Sequence, residues 1–333
     1  MRQDLFEARY GARWQDFEDT LQGGRAVTPV KGKPAPPVAA KLPPEEIPRR
    51  YREICHHLAL SRDRHYSTAL VARLERLVLV GHQTLYGARS FGDKALDFLQ
   101  RGFPRLVRKH WRYSAVAGLL FFGPFFACFI AIQFFPDFAY VIMSPAQLGE
   151  MQQMYSPTTQ RIGMRGGVEG DFMMFAFYVG NNVKIGFQCF ASGLFFGVGS
   201  IFFMVFNGLQ MGAVAGHLTH VGYIETFWGF VAGHSAFELI GIMLSGAAGL
   251  MVGMCLIAPG RMTRFAALKA KMPDIIGIVY GAALLIFLAA FIEGFWSASR
   301  LPPVELKYAV GIFLWLLTFA YLGLAGRKEI RAP

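Results

Sequence analysis

From residue 111 onward the chain is written in long apolar blocks, while residues 1–110 mix polar and apolar positions at helical spacing. Six apolar segments can be drawn: 112–135, 172–191, 192–217, 226–258, 273–295 and 306–325. A helix crossing about 30 Å of hydrocarbon needs roughly 20 such residues. One stretch stands apart. From Trp228 to Pro259 the only side chains able to carry charge are His234 and Glu238, set in GFVAGHSAFELIGIMLSGAAGLMVGM. The stretch is longer than a single crossing requires, and an ionisable group left charged in lipid costs several kcal/mol. It is expected to line a protein interior, with part of it broken or re-entrant.

Residues 1–110 read as a cytoplasmic helical region. Residues 1–23 predict a short helix with Leu5, Phe6, Trp14, Phe17 and Leu21 available to one side. The Pro-rich linker at 25–48 cannot continue it, because proline lacks a backbone donor and clashes with the preceding turn. Then Ile54, Leu58, Leu74, Leu77, Val78 and Leu85 recur at helical spacing. Arg52, Arg62, Arg73 and Arg76 are left for a polar face, and Gly87 is the expected stop, giving a small helical domain or hairpin. Residues 94–110 add a short amphipathic piece. The adjacent His56 and His57 do not share a helix face, so they read as structural or solvated and not as a metal pair.

Charge fixes the direction of the apolar blocks. Only 17% of the 333 residues are charged, against about 25% in a soluble chain, and mean hydropathy is +0.36. Residues 1–112 hold 21 basic against 12 acidic residues, and the remainder 12 against 10, so the net +11 belongs mostly to the N-terminal region. Such a region sits comfortably against an anionic leaflet. Nothing pairs it with a motif that reads DNA or RNA, so no nucleic acid is expected as a partner. Basic clusters occur at Arg101, Arg105, Arg108, Lys109 and Arg112, at Arg261, Arg264, Lys269 and Lys271, and at Arg327, Lys328 and Arg331. Six crossings put all three clusters on the cytoplasmic face, as the excess of Lys and Arg on that side requires; five would strand one outside. The expected architecture is all-α: a polytopic membrane helix bundle over 111–326, with both termini cytoplasmic and an external loop at 136–171. Within that loop Ser144-Pro145 starts a helix, with Phe138, Tyr140, Ile142, Leu148, Met151 and Met154 available to lay it on the outer surface. The polar start MRQDLFEARYGARWQDF has no apolar core and is not read as a signal peptide. Cys55, Cys128, Cys189 and Cys255 are far apart and read as small hydrophobes, with no disulfide framework.

Three polar clusters fall inside the apolar blocks. The first is Asn181, Asn182, Lys184 and Gln188, with Lys184 able to snorkel to the inner interface. The second is Asn207 beside Gly208. The third is His234 with Glu238, whose i, i+4 spacing puts them on one helix face, where they can share a hydrogen bond or a proton. Asn181, Asn182 and Asn207 are candidate partners for that pair. Glycines recur four apart at Gly193 and Gly197, at Gly208, Gly212 and Gly216, and at Gly249 and Gly253. Small residues at that interval let another backbone approach closely, in packing within one chain or in a homodimer. His217 and His220, in a loop after the third segment, together with His234 and Glu238 could supply zinc ligands. The spacing is not H-E-x-x-H, however, and neither G-x-S-x-G nor a phosphate loop occurs. No catalytic residue, cofactor or metal is assigned.

NNVKIGFQCFASGLFFGVGS, then VFNGLQMGAVAG, then GHSAFELIGIMLSGAAGLMVG and a basic APGR resemble the stage II sporulation protein M family of integral membrane proteins. The resemblance covers roughly residues 50–325 and is most specific over 172–262. The N-terminal helices with LERLVLVGHQTLYG resemble the extended members of bacteria that do not sporulate. By this resemblance Asn181 and Asn182 match the family's twin asparagines, Asn207-Gly208 its buried NG, and His234 with Glu238 its H-x-x-x-E element. Where the family commonly has proline before that histidine, this chain has Gly233. In endospore formers the namesake works in a membrane complex with a peptidoglycan hydrolase and a second anchored subunit. The resemblance names no reaction and leaves scaffold and transport both open; the leading expectation is an integral membrane scaffold or complex subunit that organises partner proteins such as cell-envelope or peptidoglycan-remodelling factors. A channel or transporter built on the polar cluster is the alternative, and an intramembrane hydrolase ranks behind both.

Overall fold

A computed structural model describes residues 1–22, 42–43, 45–86, 91–158 and 170–327. Most of the linker expected at 25–48, the stop at Gly87, the later part of the external loop, and Lys328 and Arg331 lie outside the described residues. Every regular element among the described residues is helical. The chain divides into two compact units, Met1–Lys94 and Ala95–Pro333.

The first unit is built from α1 (Gln3–Gln22), α2 (Ile47–Asp63) and α3 (Thr68–Tyr86). The helical-spacing stretch is thus a hairpin, broken where His65 takes a positive φ of 52°. Phe6, Trp14 and Phe17 of α1 pack on Ile54 of α2 and on Leu70, Leu74 and Leu77 of α3. Leu5, expected on that face, is exposed. Three ion pairs tie the helices from outside: Arg13–Glu53, Arg62–Glu75 and Arg73–Glu18. His57 is buried while His56 is exposed, as their adjacency on a helix requires. Trp14 Nε1 donates to His57 Nδ1 at 3.0 Å. Burial pushes the His57 imidazole below its ordinary value, so the fold holds it neutral. A depressed folded value means that this stabilisation is complete above the unfolded pKa, about 6.5, and is lost as pH falls below it. Hydrogen-exchange protection of α1 and α2 is therefore expected to drop between about pH 7.5 and 5.5 in the wild type and to drop less in His57→Phe. Equal slopes in both proteins would contradict this.

The second unit begins with α4 (Phe91–Asp97), which straddles the boundary, and α5 (Phe103–Lys109). There follow α6 (Trp111–Phe134), α7 (Ala139–Ile142), α8 (Pro145–Tyr155), α9 (Asp171–Ala191) and α10 (Val198–His220). The last four are α11 (Ile224–Val231), α12 (Ser235–Ile257), α13 (Arg264–Ile292) and α14 (Val304–Leu324). Among the described residues five helices are long and apolar enough to cross a membrane: α6, α10, α12, α13 with its extension to Ser297, and α14. α9 matches them in length, but Asn181, Asn182, Lys184 and Gln188 lower its hydropathy, and it is not among the five. The third apolar segment starts at Val198, not 192. A tight turn at Ser192–Leu194 and the left-handed Phe196 and Gly197 separate it from α9.

α12 is the centre of the bundle. In its most apolar window 78% of residues are buried, against 22% in α6 and in α14. The glycine stripes explain how neighbours come so close. A Cβ on Gly208 or Gly212 would overlap the carbonyl oxygens of Phe121 and Phe125, and one on Gly216 would crowd Ile132 and the Phe129 carbonyl. Gly193 faces the Gly249 carbonyl and Gly253 faces the backbone of Gly197 in the same way. All three glycine sets make these close approaches within the chain.

Basic side chains draw three termini to one end. Lys109 Nζ and His110 Nε2 reach Asp274 Oδ2 at 2.6 and 2.9 Å. Arg105 Nε donates to the Gly326 carbonyl, and Arg108 to the carbonyls of Leu322 and Ala325, each at 2.6 Å. The start of α6, the start of α13 and the end of α14 therefore share one end of the bundle. In the connection after α6, Ser144 caps α8 through a reciprocal capping box with Gln147, and Leu148 and Tyr155 are buried beneath.

Candidate polar site at a broken helix

The apolar run from Trp228 is broken. The chain leaves α11 at Val231, turns through Ala232–His234 and enters α12 at Ser235. Two close approaches hold the break. A Cβ at Gly233 would run into the Trp296 ring, so only glycine lets that indole lie across the turn. On the other side Gly311 brings the backbone of α14 against the Ala232 carbonyl. Trp315 of α14 donates from Nε1 to Ser235 Oγ at 3.1 Å, which ties the first residue of α12 to that helix. The break forms here without proline.

His234 sits at the N-cap of α12 and Glu238 on its first turn. The sequence reading missed the third member, Glu293, which follows α13 in one wide helical turn, Glu293–Ser297. His234 Nε2 lies 3.6 Å from Glu238 Oε2 and 4.0 Å from Glu293 Oε1. One ligand atom from each residue falls within 4.8 Å of the other two. The side chains are 4%, 12% and 9% exposed respectively, so the group is almost wholly withdrawn from solvent. His234 Nδ1 is hydrogen-bonded to Ser297 Oγ at 3.0 Å. Asn182 Nδ2 donates to Glu293 Oε2 at 3.2 Å.

Of the residues expected to gather here, Asn182, His234 and Glu238 do so. Asn181 is exposed and donates to Asn182 Oδ1 at 2.9 Å, one step removed. Lys184 is exposed and takes no part. Asn207 donates to the Phe203 carbonyl of its own helix at 2.7 Å. His217 is not in a loop: it is buried in the last turns of α10 and bonds Gln152 of α8 at 2.8 Å, away from His234. Lys307, also unremarked in the sequence, is buried but donates to the carbonyls of Ser297 and Ser299, not to either carboxylate. The cluster is thus one histidine and two glutamates, with a single amide.

His234, Glu238 and Glu293 form part of the wall of a cavity of about 850 Å³. The rest of the wall is mostly apolar and aromatic, including Phe122, Phe126, Trp228 and Trp315, with Gln147, Glu150, Asn207 and Gln210 among its polar members. That mixture, a broad apolar lining with a few convergent polar groups, is typical of sites for small molecules.

Residues 4–87 match a domain of unknown function, DUF8413. A search of curated proteins found no match, and neither did a search of solved structures. Residues 116–298 match Stage II sporulation protein M. That match takes in more than half of the chain, including the glycine stripes, the broken helix and all three ionisable residues; the chain belongs to the stage II sporulation protein M family.

Proposed function

We propose that this chain is a multi-pass membrane protein of carrier type, whose interior cavity takes a ligand beside His234, Glu238 and Glu293. The carrying observation is the helix break at Ala232–His234, with three ionisable side chains converging where the break opens onto the cavity. Irregular backbone at membrane depth is tolerated where it lines a cavity, and broken helices mark the binding sites of many transporters. Ionisable groups in the same place point to a site with work to do. The apolar walls and carboxylate end favour an amphipathic ligand with a cationic or hydrogen-bond-donating head. The scaffold reading, in which the chain organises envelope proteins, is favoured by the close glycine packing, which builds a rigid bundle; in that reading the cluster only locks the helices.

In the proposed topology α9 is the sixth crossing and the end that carries the basic clusters is cytoplasmic. The cavity then meets the external side through α8. In a Cys55→Ser background a membrane-impermeant thiol reagent applied outside is expected to label Gln153→Cys and to miss Lys269→Cys. Gln210→Cys, on the cavity wall, is expected to react from the same side, and Ala248→Cys, fully buried and off the cavity, is not. Labelling of Lys269→Cys would overturn the orientation. Silence of Gln210→Cys would overturn the accessible cavity and leave the locked scaffold.

A further inference from the structure

We propose that His234, Glu238 and Glu293 bind one divalent first-row transition-metal ion, Zn²⁺ or Mn²⁺ in kind, with its open coordination position turned to the cavity. This rests on the carrier reading only for the route by which the ion enters.

The argument starts from what the three side chains lack. Glu238 and Glu293 are buried carboxylates, and among the described residues no lysine or arginine pairs with either. Lys307, a buried lysine of α14, is held by two backbone carbonyls. A buried carboxylate must be paired, protonated or bound to a metal, because an unpaired charge is too costly to desolvate. His234 points its Nε2 at the two carboxylates from 3.6 and 4.0 Å, beyond a hydrogen bond to either, while its side chain is 4% exposed. Three groups that can all act as electron-pair donors therefore converge on a centre with no protein cation in it.

The surroundings match how such ligands are held. A ligating histidine almost always has its second nitrogen hydrogen-bonded, which fixes tautomer and ring orientation, and ligating carboxylates are themselves hydrogen-bonded. Here Ser297 Oγ holds His234 Nδ1, leaving Nε2 for the centre, and Asn182 Nδ2 holds Glu293 Oε2, leaving Oε1 for it. Ligand bonds of about 2.0–2.2 Å put the atoms of a tetrahedral site roughly 3.4 Å apart. The observed separations, from 3.6 Å up to no more than 4.8 Å, need only rotamer adjustments to close on an ion. Nitrogen with carboxylate oxygen suits zinc, manganese or ferrous iron, whereas calcium takes six to eight oxygens. Three protein ligands leave the fourth position open, and all three line the cavity.

The test uses the full chain in lipid nanodiscs, purified on a tag free of histidine, stripped with chelator and titrated with ZnCl₂ and separately with MnCl₂. One ion per chain is expected in elemental analysis and calorimetry for at least one metal, with binding abolished in Glu238→Gln/Glu293→Gln. Ser297→Ala and Asn182→Ala touch no ion and are expected to weaken affinity by about 10–100-fold with unchanged stoichiometry. Folding of every variant is checked by monodispersity and melting, so a variant that fails to fold is set aside and the two positioning variants decide. Binding that is absent from the wild type, or equal in all these variants, would overturn the metal site. Reactive Gln210→Cys together with a metal-free wild type would remove the metal and keep the carrier reading.

Discussion

Gly212→Leu is expected to destabilise the bundle by about 3 kcal/mol, the upper end of what overpacking a filled core costs. The obstacle is backbone, not a side chain that could swing away: the new Cβ would overlap the Phe125 carbonyl and crowd the Cβ of Cys128 on α6. Relief requires α6 and α10 to separate, which empties the contact that Gly208 and Gly216 share. Gly193→Leu is expected to behave alike against the Gly249 carbonyl. Gly180→Leu, on an exposed face of α9 with nothing near its Cβ, is the matched control, expected to be neutral or to gain about 0.5–1 kcal/mol from helix propensity. Melting of the detergent-purified proteins reads all three. Equal tolerance at Gly212 and Gly180 would mean that the stripe is not a backbone contact.

Glu238→Gln and Glu293→Gln are each expected to abolish the protein's function in a complemented deletion strain while insertion and external labelling stay normal. An amide keeps the size of the carboxylate and can still accept a hydrogen bond, so a helix lock would lose part of its hold but leave a folded, inserted protein that keeps its function. What the amide cannot do is carry negative charge, take up a proton or bind a metal through an anionic oxygen. Full complementation by both variants would return the site to a structural role and favour the scaffold.

Much of this was legible along the chain. The central position of 228–259, its break and the shared face of His234 and Glu238 followed from length and spacing, because a lone i, i+4 pair in an apolar run has few other uses. The positions at which neighbouring backbones meet followed from the glycine interval, although only the packed structure says that they serve one chain. Glu293 was missed for a specific reason. It is the only acidic residue after Asp274 in its segment, yet it lies near the end, where hydropathy reads an acid as the edge of a crossing. The wide turn after α13 instead carries it inward to His234. Asn181 and Lys184 were grouped with Asn182 by proximity in sequence, but a helix turns neighbours to different faces, and only Asn182 points inward. No linear pattern could have given the Trp296 ring over Gly233, since one lies in the turn before α12, the other in the wide turn after α13, and they meet only in the bundle.

The measurement that bears most directly on the site is the melting midpoint of Glu238→Gln/Glu293→Gln beside the wild type, both in nanodiscs with chelator present. Two buried carboxylates with no protein cation between them must repel or take up a proton, and a site kept for binding holds that cost in its empty state, so their amides are expected to leave the midpoint unchanged or raise it. A lock makes the opposite demand, because its carboxylates hold the helices together. A fall of more than about 5 °C in the double variant, well beyond what a 1 kcal/mol loss produces in a unit of this size, would contradict a binding site at the broken helix.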